Sequence, residues 1–105
     1  MDIEGADLIF DILDIPSGSL DMAQNTPNPF SDFTSIAVQS PNEREVVFSI
    51  QDVSGRVILQ REMTIDKGYN EINLSKDELP GGGVLIYSIA SGEERISKKM
   101  MIIER

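Results

Sequence analysis

The chain has 105 residues, with 18 acidic and 9 basic side chains, a formal net charge of -9, and neither His nor Cys. This length fits one domain. Without His or Cys, the sequence lacks the usual zinc ligands, a thiol nucleophile and the histidine base of a hydrolytic triad. The acidic balance argues against nucleic acid or an anionic membrane as a partner. We therefore expect a protein that is not an enzyme and has no metal ion or cofactor.

The N-terminal segment differs in charge from the rest of the chain. Every charged side chain among residues 1–22 is acidic, and the turn-forming run 16–19 lies near the end of this segment. We expect residues 1–22 to be an acidic linker and residues 23–105 to be the main domain. The apolar run 8–15 fits a helical turn or a strand, and we favour a strand. Added to a sheet edge of a second copy, such a strand would give a strand-exchanged homodimer.

The stiff segment Thr26-Pro27-Asn28-Pro29-Phe30 precedes the strand pattern. Each proline fixes its own φ and favours an extended conformation in the residue before it. The segment should therefore deliver Phe30 to a set place, where the ring plugs the end of the domain. A proline-rich docking peptide is the alternative.

Residues 26–105 contain short apolar runs separated by turn signals at regular intervals. We predict strands over residues 34–40, 45–51, 56–64, 69–74, 84–90 and 95–103, with one helical turn at 75–79. Period-two alternation places one set of side chains inward: Ile36, Val38, Phe48, Ile50, Leu59, Ile72, Leu74, Tyr87, Ile89 and Ile102. The same alternation places Val57 on the side of Leu59. The sequence thus predicts an all-β antiparallel sandwich of about seven strands.

Two glycine-containing turns could be mistaken for ligand sites. In residues 52–56 we expect Asp52 to accept hydrogen bonds from the turn amides and Gly55 to take a positive φ. A structural hairpin explains this turn better than a metal loop, which needs alternating oxygen ligands and a distal Glu. The glycines 81–83 precede a strand rather than a helix, and no Lys-Ser/Thr follows them, so they do not form a phosphate-binding loop.

The C-terminal run has two adjacent lysines followed by four apolar residues. One interpretation is a last strand whose edge is protected by a lysine. The other is a strand that a receptor reads. Since neighbouring residues of a strand point to opposite faces, only one of Lys98 and Lys99 can lie on the inward side.

In this order, these features resemble the type A C-terminal sorting domain of the type IX secretion system of Bacteroidetes. The matching segments are 25–30, 50–57, 68–74 with Leu79, 83–87 and 98–104, within residues 23–105. Two departures are Gln51, which stands where an aromatic residue usually precedes the Asp, and a longer glycine run. The motif positions are Pro27, Asn28, Pro29, Phe30, Asp52, Gly55, Arg56, Gly68, Asn70, Gly83 and Tyr87.

The resemblance implies an Ig-like sandwich that acts as an address label on a secreted cargo, with residues 1–22 as the linker or the end of that cargo. The precursor would reach the periplasm by a separate signal. The outer-membrane translocon and its shuttle protein would then recognise the domain, and a sortase would remove it at the cell surface by a cut within residues 17–23. The implied recognition residues are Lys98, Lys99, Met100, Met101, Ile102, Ile103 and Glu104. An adhesive or carbohydrate-binding Ig-like module is the alternative, and it would show exposed aromatic side chains on one face.

Overall fold

A computed structural model describes residues 19–80 and 82–103 as a sandwich of two antiparallel sheets. The seven strands are β1 (Asp21–Met22), β2 (Phe33–Ser40), β3 (Arg44–Asp52), β4 (Val57–Ile65), β5 (Gly68–Ser75), β6 (Gly83–Ser91) and β7 (Glu94–Ile102). One sheet has the order β1-β2-β5 and the other the order β4-β3-β6-β7. The predicted all-β sandwich is confirmed. No helix in these two ranges is long and apolar enough to span a membrane.

The core lies between the sheets and follows the period-two pattern of the strands. All ten side chains named above as facing inward are buried, apart from Leu59, which is half-buried at the margin of the core. At the centre, the rings of Phe48 and Tyr87 lie 6.5 Å apart between centroids at an angle of 46°. Both residues stand on the middle strands of the four-stranded sheet, so that sheet provides the largest buried rings of the core apart from Phe30.

A β-bulge in β4 places Val57 on the sheet face opposite to the one that we predicted. Ile50 pairs with Leu59, but the next residue, Gln51, pairs with Val57, so Ile58 is the extra residue. This shift turns Val57 to the outer face, where its side chain is 54% exposed. The prediction that Val57 lies on the side of Leu59 is wrong, because strict alternation does not hold across a bulge.

The predicted helical turn is a short 3₁₀ helix, Lys76–Glu78, with the expected capping box. The Ser75 hydroxyl accepts from the Asp77 N–H at 3.2 Å, and the Ser75 N–H donates to a Glu78 carboxylate oxygen at 3.2 Å. Glu78 also forms an ion pair with Arg61 of β4. The turn thus links the end of the three-stranded sheet to an edge strand of the other sheet.

Strand β1 includes residues upstream of position 23 in the sandwich. Met22 pairs with Val38 of β2, and the side chains of Leu20 and Met22 are buried. Leu20 and Met22, on the N-terminal side of the predicted boundary at residue 23, thus pack onto the sandwich, and the division into a linker and a main domain stays a prediction. The predicted strand within 8–15 lies outside the described residues, so it stays a prediction.

Candidate functional site

The C-terminal strand β7 is an edge strand of the four-stranded sheet. One of its edges pairs with β6 over the whole length, from Ser91 opposite Glu94 to Gly83 opposite Ile102. Alternation places Met100 and Ile102 in the core and turns Met101 outward. The outer edge of β7 is therefore where another backbone segment could pair.

Residues 24–30, which we call the strap, lie along the C-terminal half of that outer edge. The Phe30 N–H donates to the Met101 carbonyl at 3.0 Å, and the Ile103 N–H donates to the Phe30 carbonyl at 2.8 Å. These two bonds form a short parallel bridge. The Phe30 side chain is only 2% exposed. The predicted plug is thus confirmed, and it also fastens the last strand.

Two polar side chains of the strap complete its contact with β7. The Asn28 Oδ1 atom accepts from the Met101 N–H at 2.9 Å. The Gln24 Nε2 group donates to the Lys99 carbonyl at 2.6 Å. Pro27 and Pro29 flank Asn28, and the peptide bond before each proline is cis. Together with Phe30, these side chains satisfy the outward main-chain groups from the Lys99 carbonyl to the Ile103 N–H.

The inner side of the strap is held by a buried polar network around Tyr87 of β6. The Tyr87 hydroxyl accepts from the Asn25 N–H at 2.9 Å and donates to the Ala23 carbonyl at 3.0 Å. The Asn25 Nδ2 group donates to the Thr34 hydroxyl at 3.0 Å, and that hydroxyl donates to the Pro27 carbonyl at 2.8 Å. Burial raises the pKa of the Tyr87 phenol, and the hydrogen bond from Asn25 partly offsets this rise.

The two lysines of β7 point to opposite faces, as predicted. Lys98 pairs with Tyr87 and is half-buried on the inward side, whereas Lys99 pairs with Ile86 and is exposed. Neither ammonium group forms an ion pair with a residue that the structure describes. Lys99 is thus an exposed cation on a domain of net negative charge.

The remaining predicted recognition residues divide into two groups. The side chains of Met100 and Ile102 lie in the core of the folded domain, and a part for these two residues in recognition stays a prediction. Met101 and Ile103 are each 46% exposed on the outside. Glu104 lies outside the described residues.

The turn at residues 52–56 is the structural hairpin that we expected. One carboxylate oxygen of Asp52 accepts from the Ser54 N–H, the Ser54 hydroxyl and the Arg56 N–H, at 3.0, 2.6 and 3.0 Å. Gly55 takes a φ of 95°. The hydrogen bond from the Ser54 hydroxyl, followed by that from the Arg56 amide, lowers the pKa of Asp52. The Arg56 guanidinium lies 3.4 Å from the same carboxylate.

Three other motif residues shape turns. The Asn70 side chain bridges the backbone of Asp66, accepting from its N–H at 2.8 Å and donating to its carbonyl at 2.9 Å. Gly68 lies within this bridged turn with a φ of 98°, and Gly83 begins β6 with a φ of 119°. These residues support the fold through the turns that they form.

Sequence reasoning missed the contributions of Gln24 and Thr34. A signal existed for Thr34, since it shares the inward parity of Ile36 and Val38, and a polar residue at an inward position requires a buried partner. No signal existed for Gln24, whose partner lies 75 residues away in the chain. Over the described ranges, no group of three or more His, Cys, Asp or Glu could hold a metal ion.

Solved structures share this fold at low sequence identity. Dimeric latent PorU from Porphyromonas gingivalis matches 92% of this chain and 10% of its own, at 21% identity and a TM-score of 0.64. A β-glucosidase from Listeria innocua matches 80% of this chain and 16% of its own, at 10% identity and a TM-score of 0.54. The β-glucosidase EmGH1 from Erythrobacter marinus matches 82% of this chain and 16% of its own, at 10% identity and a TM-score of 0.53. The chain thus spans about a sixth or less of these proteins, and the likeness shows the fold alone. No curated protein matches it.

A match to a family of secretion domains covers nearly all of the sandwich. Residues 26–104 match the family described as "Secretion system C-terminal sorting domain". The matched range contains most of the strap, the residue 52–56 turn, Tyr87 and the whole of β7. The chain therefore belongs to the family of type IX secretion system C-terminal sorting domains, and it is a signal for the export of a cargo protein across the outer membrane.

Proposed function

We propose that the export machinery recognises the folded domain through its last strand, β7, with Lys99 as the principal charged contact. The observation that carries this proposal is the exposed ammonium group of Lys99, which forms no ion pair with a described residue and lies beside outward apolar side chains, on a domain with more acidic than basic side chains. Within a mostly acidic surface, one exposed cation can set the orientation of an acidic partner. Lys98 is half-buried and contributes less.

The partners we propose are the type IX translocon, its outer-membrane shuttle protein and a sortase. The cargo would pass through the periplasm and end at the cell surface or outside the cell. The domain acts as a substrate and label in these steps and catalyses none of them. The burial of Leu20 and Met22 favours a sortase cut before Leu20, because a protease must bind its substrate as an accessible extended chain.

An export assay tests this proposal. The whole chain, fused behind a reporter that carries its own export signal, should reach the surface of a host with a type IX system. Replacing Lys98 and Lys99 by Ala should leave the domain folded and retain the reporter in the periplasm. The matched control replaces Lys67 and Lys76 by Ala, with the same change in charge, and should be exported normally. Export of the Lys98/Lys99 variant at the wild-type rate would show that these charges are not part of the signal.

We also propose that the apolar segment 8–15 can pair with a sheet edge of a second copy, which would give a strand-exchanged homodimer. An edge is available, because the outer edge of β4 pairs with no strand in the described part of the chain. Sedimentation should then show a dimer whose population rises with concentration and which disappears when residues 1–18 are removed. A monomer at every concentration would contradict the exchange.

The adhesive alternative requires a platform of exposed aromatic side chains. Phe33 and Tyr69 are exposed on the outer face of the three-stranded sheet, but they stand at opposite ends of it. Phe33 pairs with Ser75, and Tyr69 pairs with Gln39, six residue pairs along the strands. That spacing is about 20 Å, too far for both rings to stack on one sugar. We therefore do not propose a carbohydrate-binding function.

A further inference from the structure

The outer edge of β7 is closed where the signal strand ends. The Lys99 carbonyl, both main-chain groups of Met101 and the Ile103 N–H each bond to the strap. A partner that added its own strand here would need these same groups. It would first have to displace the strap and expose the buried Phe30 ring. Recognition of this end of β7 by strand addition is therefore energetically unfavourable.

The outer face of the same segment is open and apolar. Met101 and Ile103 are each 46% exposed, and Val84 of β6, directly opposite Met101, is 37% exposed. Lys99 lies two residues before Met101 on the same face. Exposed apolar side chains that adjoin across two strands are typical of a protein interaction surface.

The charge at the margin of this face specifies the partner. Lys99 makes no ion pair with a described residue, and it lies at one end of the apolar strip. A partner with an apolar strip and a carboxylate at the Lys99 end is complementary in both respects.

We propose, on the basis of the sorting function above, that the export machinery reads the outward side-chain face of the strand end, formed by Lys99, Met101, Ile103 and Val84. The edge of β7 is not read, because the strap occupies it. The strap instead positions the face, and Asn28 is the positioning residue, since its Oδ1 atom holds the Met101 N–H at 2.9 Å.

Variants of the face test the first part of the proposal. In the whole-chain reporter fusion, replacing Met101 and Val84 together by Ser should lower export by roughly tenfold or more, the loss typical of a contact in an interface hot spot. Tyr69→Ser removes a large side chain that is even more exposed, at 61%, from the other sheet and should not change export. Because Ile103 follows the last paired residue of β7, Ile103→Ser gives the same test with the least disturbance of the fold. Thermal melts check folding in each variant.

Variants of the strap distinguish recognition of the outward face from recognition of the β7 edge. Asn28→Ala removes the acceptor for the Met101 N–H and loosens the strap, so it frees the edge and disorders the face. If the machinery recognises the outward face, export of this variant should fall. If the machinery recognises the edge of β7, export should stay equal or rise. Asn28→Asp keeps an oxygen acceptor at the same place and should restore export.

The outcomes distinguish this inference from the sorting function. A wild-type fusion that is not exported would contradict the sorting function itself. If the wild type is exported and the folded Met101/Val84 and Ile103 variants are exported equally well, the face is not what is read. Undiminished export of Asn28→Ala would likewise overturn the inference in favour of the edge.

Discussion

The hairpin turn at residues 52–56 and the strap at residues 24–30 are both short polar motifs, but they are held in different ways. Asp52 bonds to groups two and four residues away in the chain. The strap also bonds to Thr34, seven and nine residues away, but its bonds to Tyr87, Lys99 and Met101 join groups 62 to 75 residues apart. Formation of the turn requires only its own five residues. The strap contacts with Tyr87, Lys99 and Met101 require β6 and β7 to be in place. The strap therefore depends on, and reports, assembly of the whole sandwich.

The largest expected effect comes from removing the buried ring of the strap. Phe30→Ala should lower the free energy of unfolding by about 3–5 kcal/mol, because it leaves a cavity between the strap and the core. Phe33→Ala makes the same substitution three residues away at a side chain that is 70% exposed, and it should cost about 0.5 kcal/mol or less. Chemical denaturation of both variants measures the difference. Equal losses would mean that the strap is not packed as described.

The next effect concerns the link between the strap and the core. Tyr87→Phe keeps the ring but leaves the Asn25 N–H and the Ala23 carbonyl without their partner, at a cost of about 1–3 kcal/mol. The exposed Tyr69→Phe is the control and should be close to neutral. Because the folded state raises the pKa of Tyr87, the wild type should lose stability as the pH rises through that value, above about 10. Denaturation midpoints across this range that fall equally in the Tyr87→Phe variant would contradict this assignment.

The turn should give a smaller, acid-dependent effect. The folded state lowers the pKa of Asp52, so its contribution is present above the ordinary value of about 3.9 and is lost as the pH falls through the lowered one. Asp52→Asn keeps an acceptor for the turn amides but cannot ionise. Thermal melts should therefore show a smaller loss of stability for this variant than for the wild type as the pH falls below about 4. Parallel losses would show that Asp52 does not stabilise the turn through its charge.

The smallest effect on folding is expected for the lysines of β7. Replacing Lys98 and Lys99 by Ala should change the free energy of unfolding by about 0.5 kcal/mol or less, because neither side chain forms an ion pair with a described residue. A urea denaturation curve for this variant should therefore overlay that of the wild type. A large loss would mean that any effect on export follows from unfolding rather than from recognition.

Local chemistry and strand periodicity accounted for most of the fold. The inward sets of β2, β3, β5 and β6, the capping box at Ser75 and the turn at Asp52 depend on spacings within one element, and the sequence carries those directly. The error at Val57 arose from a bulge, which depends on the pairing of two strands and leaves no mark in the alternation of either.

The candidate site was predictable only in part, for the same reason. The prolines and Phe30 indicated a stiff plug, and the adjacent lysines indicated one inward and one outward cation. The sequence did not indicate that the plug would bond to Met101 and Ile103, since that contact joins the two ends of the domain. Only the assembled structure therefore allowed us to choose between recognition of β7 through its edge and recognition through its outward face.

Amide hydrogen exchange in the native chain tests most directly whether the strap closes the edge of β7. The Met101 and Ile103 N–H groups point away from β6 and bond only to the strap, whereas those of Met100 and Ile102 point towards β6. With the strap closed, the Met101 and Ile103 amides should be protected to a similar degree as their neighbours, and Asn28→Ala should release the Met101 amide selectively. Exchange of the Met101 and Ile103 amides in the wild type at the rate of an unprotected edge would contradict the closed edge.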